Sequence, residues 1–330
     1  MKINKLFFYI SLCFLIITNS TFAYNFDQWK IDFKKKALKE GISEDTFDKI
    51  MKNAKFLPKV IEYDRYQPEF YEDTKTYISK RTSKKKVKSG LNYYKNNADL
   101  INNVDKNFKI EKELLLALMG IETNFGTYLG KMDIISSLST LSFDKRRSEF
   151  FTKELLIILK LIDQEIIDPE ILYGSWAGAF GNFQFMPSTI KNYALDFNSN
   201  NLIELKSNSD SFASAANYLN KMGWIKNDPC FQKVTLKKNV PKKILNTSAR
   251  KIKNKKKLKY FKKYIYDDLK FDENIKVAII TPDADIVDNA KINEPAYIVF
   301  SNYELILKWN RSLRFGLAVC TLKDKFKNEL

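Results

Sequence analysis

Three features of the sequence predict an α+β fold that is mainly helical. Apolar residues recur at helical spacing through most of residues 24 to 222. Short runs rich in β-branched residues are confined to the stretch after Trp224. Helical character then returns from Asn302 to Lys327, and no internal repeat breaks this order. The predicted division is a leader over 1–23, a helical region over 24–105, a core over 106–224, a small β-containing domain over 225–301 and a C-terminal segment over 302–330 that returns to the helical part.

The leader has the physics of a secretory signal. Lys2 and Lys5 precede an apolar run from Leu6 to Ile17, and Thr21-Phe22-Ala23 ends in a small residue suited to cleavage. The run is too short for a comfortable membrane span. Cys13 lies inside it behind the bulky Leu12, which argues against a lipid anchor. A soluble, exported, periplasmic protein is expected. In the next region Gln28-Trp29-Lys30, Phe33, Ala37-Leu38 and Ile42 keep helical spacing, and Ser43 is a candidate N-cap. Leu114-Leu115-Leu116-Ala117-Leu118-Met119 follows Glu111 and Glu113 without a breaker and reads as a buried helix. Glu149 to Gln164 and Ser211 to Met222 are further helices, the last closed by Gly223. Val234-Thr235-Leu236, Val277-Ala278-Ile279-Ile280 and Tyr297-Ile298-Val299-Phe300 are predicted strands, separated by lysine-rich stretches.

Composition narrows the chemistry. With 45% apolar residues the chain has ample material for a packed core. The formal net charge is +17, and removing a leader with two lysines and no acid lowers it by two. Such a field favours anionic partners, of which nucleic acid, acidic membrane and peptidoglycan fit, and an exported protein meets the last two. The runs Lys84-Lys85-Lys86 and Lys255-Lys256-Lys257 read as solvated faces. Cys230 and Cys320 are the thiols left after export, and their spacing does not decide whether they pair. The chain has no histidine, which excludes Ser-His and Cys-His nucleophile pairs and leaves carboxylates as the main catalysts.

One carboxylate is well placed for that work. Glu122, within Gly120-Ile121-Glu122-Thr123-Asn124-Phe125-Gly126, falls at the C-terminus of the apolar helix, where unpaired carbonyls disfavour an anion. Apolar neighbours push its pKa upward too, as an acid that protonates a glycosidic oxygen requires. A second segment, from Gly174 to Ser188, sets small residues among aromatics and one amide. Gly174, Gly178 and Gly181 let backbone approach a ligand or another segment. Gln184, between Phe183 and Phe185, offers a donor and an acceptor beside apolar faces, a surface suited to sugar.

Together with Ala216-Asn217-Tyr218-Leu219, Gly223-Trp224, Gln67-Pro68-Glu69-Phe70, Ser139-Thr140-Leu141-Ser142-Phe143, Arg146-Arg147, Trp309-Asn310-Arg311-Ser312 and Ala318-Val319, these segments resemble the lytic murein transglycosylase B family. The resemblance covers essentially the whole mature chain and is weakest between about 225 and 295. It implies a lysozyme-like core and cleavage of peptidoglycan glycan strands between N-acetylmuramic acid and N-acetylglucosamine, with a 1,6-anhydromuramic product. Glu122 matches the family's single acid/base. Ser175, Gln184, Phe185, Met186 and Tyr218 match cleft residues, and Tyr77 matches by its place before the catalytic helix. Arg146 and Arg147 match a pair that binds acidic groups of the glycan or its peptides, and Asn310 a polar cleft residue. Trp309 and Phe315 stand where some members carry tyrosine, which keeps a stacking surface and loses a hydroxyl. No cofactor is required on this reading, and no nucleic acid. A monomer is expected, with cell-wall synthesis or remodelling proteins as the further partners.

One loop suggests a structural Ca2+. Asp196, Asn198 and Asn200 hold the first, third and fifth positions of an EF-hand-like pattern, with Leu202 supplying the seventh and Asp210 a late carboxylate. Yet Asn201 replaces the turn glycine and Ser207 the bidentate glutamate, so a metal-free hydrogen-bonded loop is the expected state. Three rival functions stand beside the enzyme: a non-catalytic peptidoglycan-binding scaffold, a muramidase-type hydrolase using Asp133 or Asp144, and a basic nucleic-acid binder.

Overall fold

The computed structural model describes residues 25–66 and 72–330. The leader, with Cys13, and the segment Gln67-Pro68-Glu69-Phe70 lie outside the described residues. Six helices form the N-terminal part: α1 (Phe26–Lys39), α2 (Glu44–Met51), α3 (Pro58–Arg65), α4 (Thr74–Arg81), α5 (Lys84–Asn96) and α6 (Ala98–Phe108). Their starts follow from local chemistry. Ser43 caps α2, accepting from the Thr46 N–H at 3.3 Å, and Asp73 and Ser83 cap α4 and α5 in the same way.

The central part holds α7 (Lys112–Thr123), β1 (Met132–Asp133), α8 (Ile134–Phe143), α9 (Ser148–Asp163), β2 (Tyr173–Gly174), α10 (Pro187–Tyr193) and α11 (Asn208–Lys221). The apolar run makes α7 buried nearly all round, from Leu114 to Gly120. Gly223, at φ +89°, turns the chain out of α11, as its position in the sequence predicts. Beyond it come β3 (Phe231–Val234), β4 (Leu245–Asn246), β5 (Lys256–Lys257), α12 (Leu258–Lys262), β6 (Lys276–Ile280) and β7 (Ala296–Val299). The chain closes with α13 (Ser301–Trp309) and α14 (Leu313–Lys327).

β1 and β2 pair antiparallel on their own, and the later strands form one small sheet in the order β3-β7-β6-β4, with β5 also on β6. β7 pairs antiparallel with both β3 and β6, in registers Phe231↔Val299 and Ile279↔Ile298, whereas β4 runs parallel to β6. A second hydrophobic core of its own, including Val234, Phe261, Ile279 and Ile298, lies under this sheet. The main core unites the helices before it with α13 and α14. α14 packs along α7 and α4, so the end of the chain backs the helix that carries Glu122. Cys230, just before β3, is disulfide-bonded to Cys320 in α14, which settles the pairing that spacing left open.

Candidate active site

Glu122 sits in the last turn of α7, partly buried. The helix ends in an unusual run of left-handed residues, with φ of 51° at Asn124, 58° at Phe125 and 78° at Gly126. A phenylalanine adopts such a conformation only where packing fixes it. Here the Phe125 ring swings back over two glycines: a Cβ on either Gly90 or Gly120 would come within 2.8 Å of its Cζ. Tyr93 stacks on the same ring at 5.7 Å. Thr123 then fastens the turn to the second segment, donating from Oγ1 to the Asn182 carbonyl at 2.8 Å and accepting from the Gly126 N–H.

The carboxylate meets the far end of the chain. Trp309, the last residue of α13, donates its Nε1–H to Glu122 Oε1 at 3.1 Å. Its indole lies 5.0 Å from the Tyr218 ring, 5.2 Å from Phe185 and 6.2 Å from Phe183, centroid to centroid. Tyr193 packs on Tyr218 at 4.5 Å. Burial, with Tyr193 adding to it, pushes the Tyr218 phenol up to about 12, so it remains a neutral hydroxyl at any working pH. The hydroxyl that Trp309 was expected to lack is thus replaced by an indole N–H aimed at the acid.

The second segment builds the neighbouring wall. Gly174, Gly178 and Gly181 bring backbone close to other chain segments: to the Ala179 carbonyl, to the Leu138 side chain and to Leu205. Ser175 Oγ accepts the Ala179 N–H at 3.0 Å and the Ala177 N–H at 3.3 Å, which leaves its own hydrogen to donate. Gln184, at φ +50°, turns its amide inward and donates to Leu129 and Gly181 carbonyls at 3.2 and 3.0 Å. Met186 is half-buried and precedes α10.

The other residues singled out in the sequence are more enclosed or differently engaged. Phe185 and Phe315 are 3% exposed and Tyr77 1%, so these rings serve as packing in this conformation, Tyr77 beneath the Arg81 guanidinium. Asn310 follows α13, half-buried, its carbonyl accepting the Ser312 N–H at 2.8 Å. Arg146 and Arg147 both grip the buried Asp64, Arg146 Nε at 2.8 Å, although each guanidinium keeps an exposed side. The 82-residue separation of Arg146 from Asp64 left that anchor invisible in the sequence.

Lys86 corrects one reading. Lys84 and Lys85 are exposed, but Lys86 is half-buried, its Nζ 2.8 Å from the Gly120 carbonyl and 2.6 Å from Asn124 Oδ1. It caps the C-terminus of α7 with positive charge. Burial, and then the charge of Arg81, hold its pKa below the usual lysine value. A signal existed: Lys86, Gly90 and Tyr93 share one face at i, i+4 and i+7. Lys86, Glu122 and Tyr128 line one cavity of about 360 Å3, and Glu122 is its one carboxylate among the described residues.

The EF-hand-like loop satisfies itself. Asp196 accepts the Asn200 and Asn201 N–H groups, Asn200 Oδ1 accepts from Leu202, and Asn200 Nδ2 donates to Glu204 at 2.7 Å. Asp210 is fully buried, with one oxygen on the Phe197 N–H and the other on the Glu204 N–H. Asn198 Oδ1 also serves the Asn200 N–H. A donor set this committed to backbone, with no carboxylate at Ser207, fits a hydrogen-bonded turn better than a tight Ca2+ site.

The comparisons agree with one another. The family described as Transglycosylase SLT domain matches residues 25–324. Membrane-bound lytic murein transglycosylase B of Escherichia coli (strain K12) is 37% identical over 153 residues, 46% of this chain, and the chain spans about two fifths (42%) of that relative's length. Among solved structures, SltB3 from Pseudomonas aeruginosa in complex with NAG-anhNAM-pentapeptide superimposes with a TM-score of 0.80 at 31% identity, covering 92% of this chain and 80% of that one. The Escherichia coli lytic transglycosylase Slt35 in complex with calcium gives 0.75 at 25%, covering 91% and 93%. The lysozyme-like expectation for the fold is met by these likenesses.

Proposed function

This chain belongs to the transglycosylase SLT domain family, and from that premise we propose that it is a lytic transglycosylase of peptidoglycan. It cuts the β-1,4 bond between N-acetylmuramic acid and N-acetylglucosamine, with Glu122 as the single acid/base and a 1,6-anhydromuramic end as product. The observation that carries this reading is the carboxylate at the end of α7, the one carboxylate of its cavity among the described residues, hydrogen-bonded by Trp309. Protonated Glu122 gives its proton to the glycosidic oxygen as the C1–O bond breaks. The resulting carboxylate is stabilised by the Trp309 N–H. It then takes the proton of the muramyl C6 hydroxyl as O6 bonds to C1, which restores the acid and closes the ring. The tethered hydroxyl has a high effective concentration.

The fate of the other carboxylates supports a mechanism without activated water. Asp133 caps α8 through the Ser136 N–H at 2.6 Å, and Asp144 accepts from Arg65 at 3.2 Å. An inverting hydrolase needs a second carboxylate for water, and a retaining one a carboxylate nucleophile near the acid. Ser175, Gln184, Met186, Tyr218, Trp309 and Asn310 form the substrate wall on this reading, with Phe185 behind it. The enzyme works in the periplasm as a monomer, on strands bearing stem peptides of the kind present in the SltB3 complex. No helix among the described residues is long and apolar enough to cross a membrane. The five-part division given by the sequence is proposed likewise, supported by the separate core under the sheet.

The test is the mass of the new strand ends after digestion of purified sacculi. Anhydromuramic ends are expected, and Glu122→Gln should lower turnover by about a hundredfold or more, since it removes the transferable proton at nearly constant volume. Reducing ends, heavier by one water, would replace this reading with a muramidase-type hydrolase.

A further inference from the structure

The cavity beside Glu122 has a wall that the mechanism above leaves unused. Tyr128 lines it, six residues past the acid, with the residue 70% exposed. A lone exposed aromatic on a protein surface is ordinary, so exposure by itself carries nothing. Two further observations set this one apart. Its backbone is fixed: the Tyr128 N–H donates to the Thr123 carbonyl at 2.9 Å, Gln184 holds the Leu129 carbonyl at 3.2 Å, and Gly130 lies too close to the Gly174–Ser175 backbone for any Cβ. The ring is therefore presented on a rigid loop tied to both segments that carry the site. Across the cavity, the start of α5 supplies the Ser83 and Ser89 hydroxyls and the exposed Lys85 ammonium.

That pairing is complementary to a sugar. A pyranose offers an apolar C–H face and a rim of hydroxyl and amide groups, which an aromatic face opposite short polar side chains can take together. We propose that Tyr128 forms, with Ser83, Ser89 and Lys85, a saccharide subsite adjoining Glu122 that stacks one N-acetylhexosamine ring of the glycan strand. Lys85 supplies the cation for an acidic group of the strand, a stem-peptide carboxylate in peptidoglycan or the free lactyl carboxylate of a peptide-free muramic acid. The inference rests on the peptidoglycan reading above. Lys86 stays outside the subsite because its ammonium is committed to Gly120 and Asn124.

The probe is a purified tetrasaccharide of alternating N-acetylglucosamine and N-acetylmuramic acid, titrated calorimetrically into the mature Glu122→Gln protein, which binds without turning over. Adding Tyr128→Ala should weaken binding by about two- to tenfold, the range expected for one aromatic contact. Adding Tyr128→Phe or Tyr128→Trp should leave affinity within about twofold, because the face is kept. In the Glu122-containing enzyme, Tyr128→Ala should raise KM with little change in kcat. Unchanged affinity in the Ala variant overturns the subsite, as does a Phe variant as weak as Ala, which would assign the contact to the phenol hydroxyl. A parent that binds no tetrasaccharide overturns both subsite and substrate. If the parent binds and Tyr128→Ala weakens it while the wild type cuts no sacculi, the subsite stands and the catalytic reading falls.

Discussion

Trp309→Phe isolates one hydrogen bond, since it keeps a ring against Tyr218 and Phe185 and deletes only the N–H that reaches Glu122. Hydrogen bonds to charged groups contribute about 1.5–3 kcal/mol. A fall in kcat of roughly ten- to a hundredfold with a small change in KM is therefore expected in single-turnover digestion of sacculi. Wild-type kcat would show that the indole only packs. At this scale the sequence was legible where chemistry is local. Glu122 and Gln184 stand out because their immediate neighbours restrict what they can do. Asp64, which anchors Arg146 and Arg147, and Lys86, which caps α7, act through partners dozens of residues away, and a window of ten residues does not contain such partners.

Among the elements, the link from β3 to α14 and the loop before α11 make separate predictions. The Cys230–Cys320 bridge closes 90 residues and ties the edge of the small sheet to the helix that backs α7. Replacing both cysteines by serine should lower stability by about 2–5 kcal/mol, read from urea unfolding of the oxidised and substituted proteins. Equal midpoints would mean that the chain is already held together without the bridge. The loop from Asp196 to Asp210 should respond little to Ca2+. A bound ion raises stability only when its concentration well exceeds the dissociation constant, so micromolar calcium should shift Tm by less than about 2 °C. A large shift would show that Asn201 and Ser207 do not prevent binding. β6 and β7 were readable from β-branched runs, whereas the run Val234-Thr235-Leu236 meets β3 only at Val234, and the parallel β4–β6 pair, with a β4 of two residues, was not readable. So short a strand has no periodicity, and its partner chooses it.

For the whole molecule, buried phenols set the alkaline limit. Burial pushes Tyr218 and Tyr297 up to about 12, and Tyr303, wholly enclosed, is raised as well. Unfolded tyrosines lose their protons near 10, so between about pH 10 and 12 the unfolded state binds fewer protons than the folded one. Stability should accordingly hold up to about pH 9 and then fall as pH rises through this window. Urea midpoints between pH 8 and 12 would record it, with Tyr218→Phe and Tyr297→Phe each flattening the slope. A flat profile in the wild type would mean that the folded state ionises these phenols freely. The helical architecture was readable in the sequence because it repeats every few residues, and so was the return of the C-terminal segment to it; the convergence of Trp309 on the Glu122 carboxylate was not, because no local pattern encodes that hydrogen bond. That convergence has a temporal side. Glu122 and Trp309 are 187 residues apart, and α14, which carries Cys320, follows Trp309. A nascent chain that has emerged only through α11 holds the acid and its Thr123 clamp, but neither the indole nor the second thiol. The Glu122–Trp309 hydrogen bond thus waits for one of the last helices to be translated, and a fragment that ends before residue 309 carries the acid without its indole donor.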